Sequence, residues 1–209
     1  MKLTRLSAKQ ALWLLIPTLI AIDACKESDT KDSAPDGTMA VVEDIAEPTS
    51  EEDFAARGEY LVNIMGCADC HTPKKMSERG PVLDMDKYMM GFDGTQSLPP
   101  VPDNVPIGPW VLFTGDLMAA VGPWGTSYAG NLTPDATGIG TWDLDQFSKA
   151  LREGKFKGID ESRPIMPPMP VEAYRFLNDD DVEAIFTYLK SLKPIENVVP
   201  GFQPPTASM

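Results

Sequence analysis

The chain has 209 residues, a length that allows one domain or two small ones. Its formal net charge of −13 opposes binding to nucleic acid, so no nucleic-acid partner is expected. Histidine occurs once, at His71, which excludes a metal site built on several histidines and leaves a Ser-His-Asp triad only this one residue.

The first 24 residues have the pattern of a secretory signal peptide. Basic residues precede an apolar run at 11–22, which is shorter than the roughly 20 residues that a membrane span needs. Cys25 follows in a context that resembles a bacterial lipobox, from which Asp23 departs. We predict a signal peptide over 1–24 and a lipid on Cys25, with ordinary cleavage nearby as the alternative. Both place the protein in the periplasm or on the outer face of a bacterial membrane.

Residues 25–50 are polar, acidic and poor in aromatic side chains. Such a segment buries too little apolar surface to offset the entropy lost on ordering, so we predict a flexible acidic tether. A folded domain is expected over 51–199 and a C-terminal tail over 200–209.

The folded domain should begin with a helix over 51–65, capped by Ser50 and rich in acids in its first turn. Gly58 lies on the predicted apolar face, which would suit a close crossing by another helix. That apolar face comprises Phe54, Leu61, Ile64 and Met65 at helical spacing.

Two more helices are predicted nearer the C-terminus. The first covers 142–152 with its N-cap at Thr141, and the second covers 179–193 with its N-cap at Asn178 or Asp179. The buried stripe of the second comprises Val182, Ile185, Phe186 and Leu189. Residues 72–130 show few helical signals and predict a long covering loop with a small hairpin near 110–113.

The motif that carries chemistry is Cys67-Ala68-Asp69-Cys70-His71. This C-x-x-C-H pattern is the attachment signature of c-type haem. Its spacing puts both sulfurs on one side of a helical turn and lets the next imidazole reach the iron as the proximal ligand.

Other interpretations of the motif are weaker. A thioredoxin-like pair would follow a strand, whereas a helix is predicted before Cys67. A zinc site would need four ligands, and the motif offers three. A disulfide across two residues would leave His71 without a role.

Four segments carry a resemblance to a known family: DCHTPK (69–74), GPWGTSYAGNLTPDATGIGTW (122–142), ALREGK (150–155) and PPMPVEAY (167–174). The chain resembles class I cytochromes c. More narrowly, it resembles the haem domains in cytochrome subunits of bacterial membrane-bound alcohol and gluconate dehydrogenases. Those subunits usually carry three such domains, and this chain has one C-x-x-C-H motif.

The resemblance implies a mainly α, class I cytochrome c fold, with three main helices around one haem and a long irregular loop between the first two. It implies that the first and last helices cross at Gly58 and Tyr188 or Phe186. It also implies that a Gly-Pro carbonyl, matched here by Gly80-Pro81, accepts a hydrogen bond from the proximal imidazole.

A methionine thioether is the expected sixth ligand because the chain has no second histidine. Met166 and Met169 lie in a segment that prolines stiffen, residues 164–170. The resemblance places the ligand at Met169, with Met166 as the alternative. Another group or an open site also remains possible at this point.

We therefore expect an extracytoplasmic one-electron carrier with one covalently attached haem c, not an enzyme. Its partners would be redox proteins such as a dehydrogenase or a terminal oxidase, and a lipid on Cys25 would hold it at a membrane. The alternatives are an electron-transfer subunit of a dehydrogenase complex and a haem enzyme or sensor with a labile sixth ligand.

Overall fold

A computed structural model describes residues 48, 50–101, 108 and 110–205. The predicted signal peptide, Cys25 and nearly all of the predicted tether lie outside these residues. Within the described part of the chain, every helix falls short of the length and apolar character that crossing a membrane requires.

The first helix, α1 (Glu51–Ile64), begins at a capping box. The Ser50 hydroxyl accepts a hydrogen bond from the Asp53 N–H at 3.1 Å, and the Asp53 carboxylate accepts one from the Ser50 N–H at 3.1 Å. These two bonds satisfy backbone donors that the first turn leaves unpaired. The predicted cap is confirmed.

The buried face of α1 consists of Gly58, Leu61 and Val62, which follow the spacing of three and four residues that brings side chains to one face. The prediction that Ile64 is buried is wrong, since 60% of its surface is exposed. Ile64 lies two residues beyond Val62, a step of about 200° around a helix of 3.6 residues per turn.

The last helix, α5 (Asp179–Ser191), is capped by the Asn178 side chain and packs against α1. A Cβ atom built at Gly58 would lie 1.9 Å from the Ala184 carbonyl oxygen and 2.7 Å from Tyr188 Cβ. The predicted crossing is confirmed. Its aromatic partner is Tyr188, because Phe186 packs instead on Phe147 with ring centroids 5.1 Å apart.

Three further helices are α2 (Cys67–His71), α3 (Leu144–Glu153) and α4 (Val171–Tyr174). The predicted N-cap of the middle one at Thr141 is wrong. The helix starts later, and Asp143 caps it by accepting a hydrogen bond from the Gln146 N–H at 2.7 Å. Its C-terminal end is Gly154, whose φ of 66° is in the left-handed region that glycine adopts easily.

The long loop predicted between the first two main helices is only partly irregular. It contains two antiparallel sheets, one of two strands and one of three in the order β3-β4-β5. The strands are β1 (Lys74–Ser77), β2 (Gly80–Leu83), β3 (Leu112–Phe113), β4 (Ala119–Gly122) and β5 (Gly125–Tyr128).

After α5 the chain runs back across the domain as a C-terminal strap, residues 194–203. Thr126 and Gln203 exchange backbone hydrogen bonds of 2.8 and 3.0 Å, so the strap extends the edge of β5. The buried Asn197 side chain donates to the carbonyls of Met90 and Phe92 at 2.6 and 2.8 Å. Part of the predicted tail thus packs on the sheet.

Candidate haem-binding site

The C-x-x-C-H motif forms α2. The chain leaves α1 through Gly66, whose φ of 69° turns the backbone, and then enters this single short helix. Cys67, Cys70 and His71 are therefore spaced by three and four residues on one helical turn, as the motif predicted.

The two cysteines are free thiols, and both are half-buried. Burial raises the pKa of Cys67 to about 11 and also raises the pKa of Cys70. A buried thiolate is therefore disfavoured, whereas a thioether carries no charge and tolerates burial. The environment of these two sulfurs suits covalent attachment to a haem.

His71 is buried, and its Nδ1 lies 2.8 Å from the carbonyl oxygen of Gly130. A carbonyl oxygen only accepts hydrogen bonds, so Nδ1 carries the proton and the lone pair is on Nε2. Burial lowers the pKa of His71, which favours the neutral imidazole that binds metals. The ring is thus prepared to bind iron through Nε2.

The prediction that the Gly80-Pro81 element accepts this bond is wrong. Gly80 begins β2, and its carbonyl accepts a hydrogen bond from the Ser77 hydroxyl at 2.7 Å within the β1–β2 turn. Sequence reasoning missed Gly130, which lies within the quoted YAGN motif directly after β5.

Backbone bonds hold the Gly130 carbonyl in place. Phe92 donates to Ala129 at 2.9 Å and Leu132 donates to Met89 at 2.8 Å, which pairs the two segments on either side of Gly130. The Gly91 N–H donates to the His71 carbonyl at 3.0 Å. A Cβ atom built at Gly91 would lie 2.5 Å from the Gly130 carbonyl.

The methionines differ in their surroundings. Met169 is partly buried and packs against the core cluster that contains Leu61, Ala68 and Tyr174. Met166 is also half-buried, but it is not among the residues packed on that cluster. Met76 and Met85 are mostly exposed, and Met89, Met90 and Met118 are buried.

The matching family model is Cytochrome c, over residues 55–193. This chain belongs to the cytochrome c family. Membership confirms the predicted electron transfer through a covalently bound haem c with its iron, and it agrees with the environment of α2.

Three relatives are parts of dehydrogenases. The fructose dehydrogenase cytochrome subunit of Gluconobacter japonicus is 31% identical over 77% of this chain and 27% of its own length. The gluconate 2-dehydrogenase cytochrome c subunit of Pantoea cypripedii is 30% identical over 69% of this chain and 24% of its own length. A nicotinate dehydrogenase polypeptide of Pseudomonas putida is 39% identical over 39% of this chain and 7% of its own length. The cytochrome thus spans about a quarter or less of these relatives.

Two tyrosines of this cytochrome lie near the motif and were not predicted as site residues. Burial, followed by the nearby Cys67 and Cys70, raises the pKa of Tyr174 to about 12. Burial also raises the pKa of Tyr88, whose hydroxyl lies 3.4 Å from the hydroxyl of Tyr188. Both phenols therefore stay neutral beside the attachment helix.

Among the described residues, no group of three or more His, Cys, Asp and Glu side chains is placed to hold a bare metal ion. The donor set of α2 is instead one imidazole beside two thiols, which fits a haem that brings its own equatorial nitrogens.

Proposed function

We propose that this cytochrome is an extracytoplasmic one-electron carrier whose single haem is attached through Cys67 and Cys70 and ligated by His71 and Met169. The observation that carries the proposal is the 2.8 Å bond from the buried His71 Nδ1 to Gly130, on the same short helix as two free thiols. When bound, the haem supplies the one-electron chemistry of its iron.

The protein's part on the proximal side is to orient one ring. The Gly130 carbonyl fixes the tautomer and the plane of the His71 imidazole, and it makes Nε2 more basic. A more electron-rich ligand favours the oxidised metal, so this bond would lower the reduction potential.

On the distal side, the contact of Met169 with the core cluster supports its assignment over Met166. Prolines on both sides of Met169 restrict the backbone that presents the sulfur. Thioether ligation raises the reduction potential relative to a second imidazole. Two protein ligands would leave no position for a substrate, which favours a carrier over a haem enzyme or a sensor with a labile sixth ligand.

Covalent attachment can be tested directly. In the wild type, haem should remain with the denatured polypeptide after extraction with acidified solvent, and a pyridine haemochrome spectrum should show both thioether bonds. The double variant Cys67→Ala/Cys70→Ala should lose haem on extraction. Haem that leaves the wild-type protein freely would overturn the proposal.

The sixth ligand is tested by a matched pair of substitutions. Met169→Ala should abolish the far-red charge-transfer band of the oxidised protein, lower its reduction potential and open the iron to added cyanide. Met166→Ala, three residues away in the same segment, should keep the band. The reverse result would assign the ligand to Met166.

A second candidate, favoured by the names of the relatives, is an electron-transfer subunit of a membrane-associated dehydrogenase. In this case the cytochrome would accept electrons from the catalytic subunit and pass them to another redox protein or a terminal oxidase. A lipid on Cys25 would keep it at the membrane.

Affinity purification from solubilised membranes separates the two candidates. Stoichiometric recovery of a dehydrogenase whose activity reduces the haem would identify a subunit, and recovery of the cytochrome alone would identify a free carrier. Cys25→Ser should move the protein from membranes to the soluble periplasmic fraction. Equal membrane retention of both forms would refute the lipid anchor.

A further inference from the structure

The proline-rich segment, residues 164–170, has little backbone hydrogen bonding of its own. Four of its seven residues are prolines, so only Ile165, Met166 and Met169 have a backbone N–H. Ile165 donates to the Gly154 carbonyl at 2.6 Å, which anchors the start of the segment to the end of α3. The part just before Met169 needs another attachment.

Ser127 on β5 provides this attachment. Its hydroxyl donates to the Pro167 carbonyl at 2.6 Å, two residues before Met169. The Ala120 carbonyl lies farther from the same hydroxyl, at 3.4 Å, and a hydroxyl has only one proton to donate. Among the described residues, this is the one hydrogen bond that reaches the backbone of 166–168 from outside the segment.

The position of Ser127 is itself restricted. Ser127 is buried within the three-stranded sheet, and its oxygen accepts a hydrogen bond from Trp124 Nε1 at 3.3 Å. The hydroxyl is therefore held by its strand and by an indole before it reaches Pro167. A buried donor with a fixed partner confers geometry as well as stability.

We propose that Ser127 is a positioning residue for the distal ligand, holding the proline-rich segment on the sheet so that the Met169 sulfur stays on the iron. The inference rests on the proposed function, in which Met169 is that ligand. Ser127 acts through the backbone and does not touch the metal.

The expected effect follows from a local opening equilibrium. An added ligand such as imidazole binds the iron only when Met169 has left it, so its apparent affinity is proportional to the open fraction. Loss of one intramolecular hydrogen bond should raise that fraction about threefold to tenfold. Ser127→Ala should therefore bind imidazole about threefold to tenfold more tightly and lose far-red band intensity at a lower pH.

The test uses the full-length haem-loaded protein, titrated with imidazole in the oxidised state. The matched control is Ser191→Ala, which also removes a serine hydroxyl that donates to a backbone carbonyl, Tyr188 at 2.7 Å, but on α5. The control should leave imidazole affinity unchanged. Ser127→Thr keeps the hydroxyl and should restore nearly wild-type affinity.

If Ser127→Ala does not accumulate with haem, the near-isosteric pair Ser127→Thr and Ser127→Val makes the same comparison. Equal imidazole affinities in wild type and the variants that lack the hydroxyl would overturn the inference while Met169→Ala still opens the site. If Met169→Ala itself leaves the band unchanged, the proposed ligation fails instead.

Discussion

His71 is held by backbone on two sides. Gly130 accepts from its ring and Gly91 donates to its carbonyl, so the imidazole depends on two glycines that its own helix does not contain. The sequence identified the imidazole because a C-x-x-C-H motif is local. It did not identify the carbonyl partner, because 59 positions separate that partner from His71.

Gly91→Ala should alter the redox potential. The added methyl would lie 2.5 Å from the Gly130 carbonyl, and the φ of +75° is unfavourable for alanine. Displacement of that carbonyl should weaken the Nδ1 bond, make the ligand less electron-rich and raise the potential, by about 60 mV for each tenfold change in relative affinity for the two oxidation states.

Gly80→Ala is the control for this substitution. It also has a positive φ, of +103°, but no atom lies within 4 Å of its added methyl. Its stability should fall and its potential should stay constant in protein-film voltammetry. A potential shift in Gly80→Ala alone would return the carbonyl role to the Gly80-Pro81 element.

Asp93 should contribute to acid stability. The hydroxyl and N–H of Thr95, together with Lys87, lower its pKa to about 2, below the roughly 3.9 of an unfolded chain. The stabilisation is present above the unfolded pKa and is lost as the pH falls towards about 2. Asp93→Asn should therefore unfold at lower denaturant concentration than wild type at pH 7, with a difference that shrinks between pH 4 and pH 2. A constant difference across this range would contradict the interpretation.

At the scale of elements, the helices were predictable and the sheets were not. α1 and α5 carry local caps and apolar stripes, so their existence and their crossing at Gly58 followed from the sequence. The five strands have two to four residues each, too few to show an alternating pattern. Their pairing is set by packing around the strap and the haem-binding segments.

The start of α3 gives a test at this scale. Asp143→Ala removes the side-chain acceptor of the Gln146 N–H and should cost about 1 kcal/mol in the free energy of unfolding. Thr141→Ala should cost much less, because Thr141 lies outside the helix. Equilibrium guanidinium unfolding of both variants measures the difference, and a larger loss for Thr141→Ala would support the original cap assignment.

At the scale of the molecule, the C-terminal strap ties together segments that are far apart in sequence. Asn197 joins the strap to the segment that supports Gly130, through the carbonyls of Met90 and Phe92 and the N–H of Gly94. Such long-range contacts between side chains and backbone carry no local sequence signal. The strap was therefore predicted only as a tail.

Asn197→Ala should destabilise the whole domain by at least about 2 kcal/mol, since it leaves backbone groups without their partner in a buried place. Asn63→Ala on the exposed side of α1 is the matched control and should change stability little. Thermal unfolding followed at both the haem and the helices should show one shifted transition. Two separated transitions in Asn197→Ala would mean that the strap supports only its own region.

The crossing of α1 and α5 also sets an order of events during synthesis. The ion pair between Arg57 and Asp181 spans 124 positions, and Cys67 and Cys70 follow directly after α1. A chain that emerges from its N-terminus exposes both thiols long before the last helix exists to pack on α1. Haem attachment thus has an interval in which the motif is accessible, and the arrival of α5 closes it.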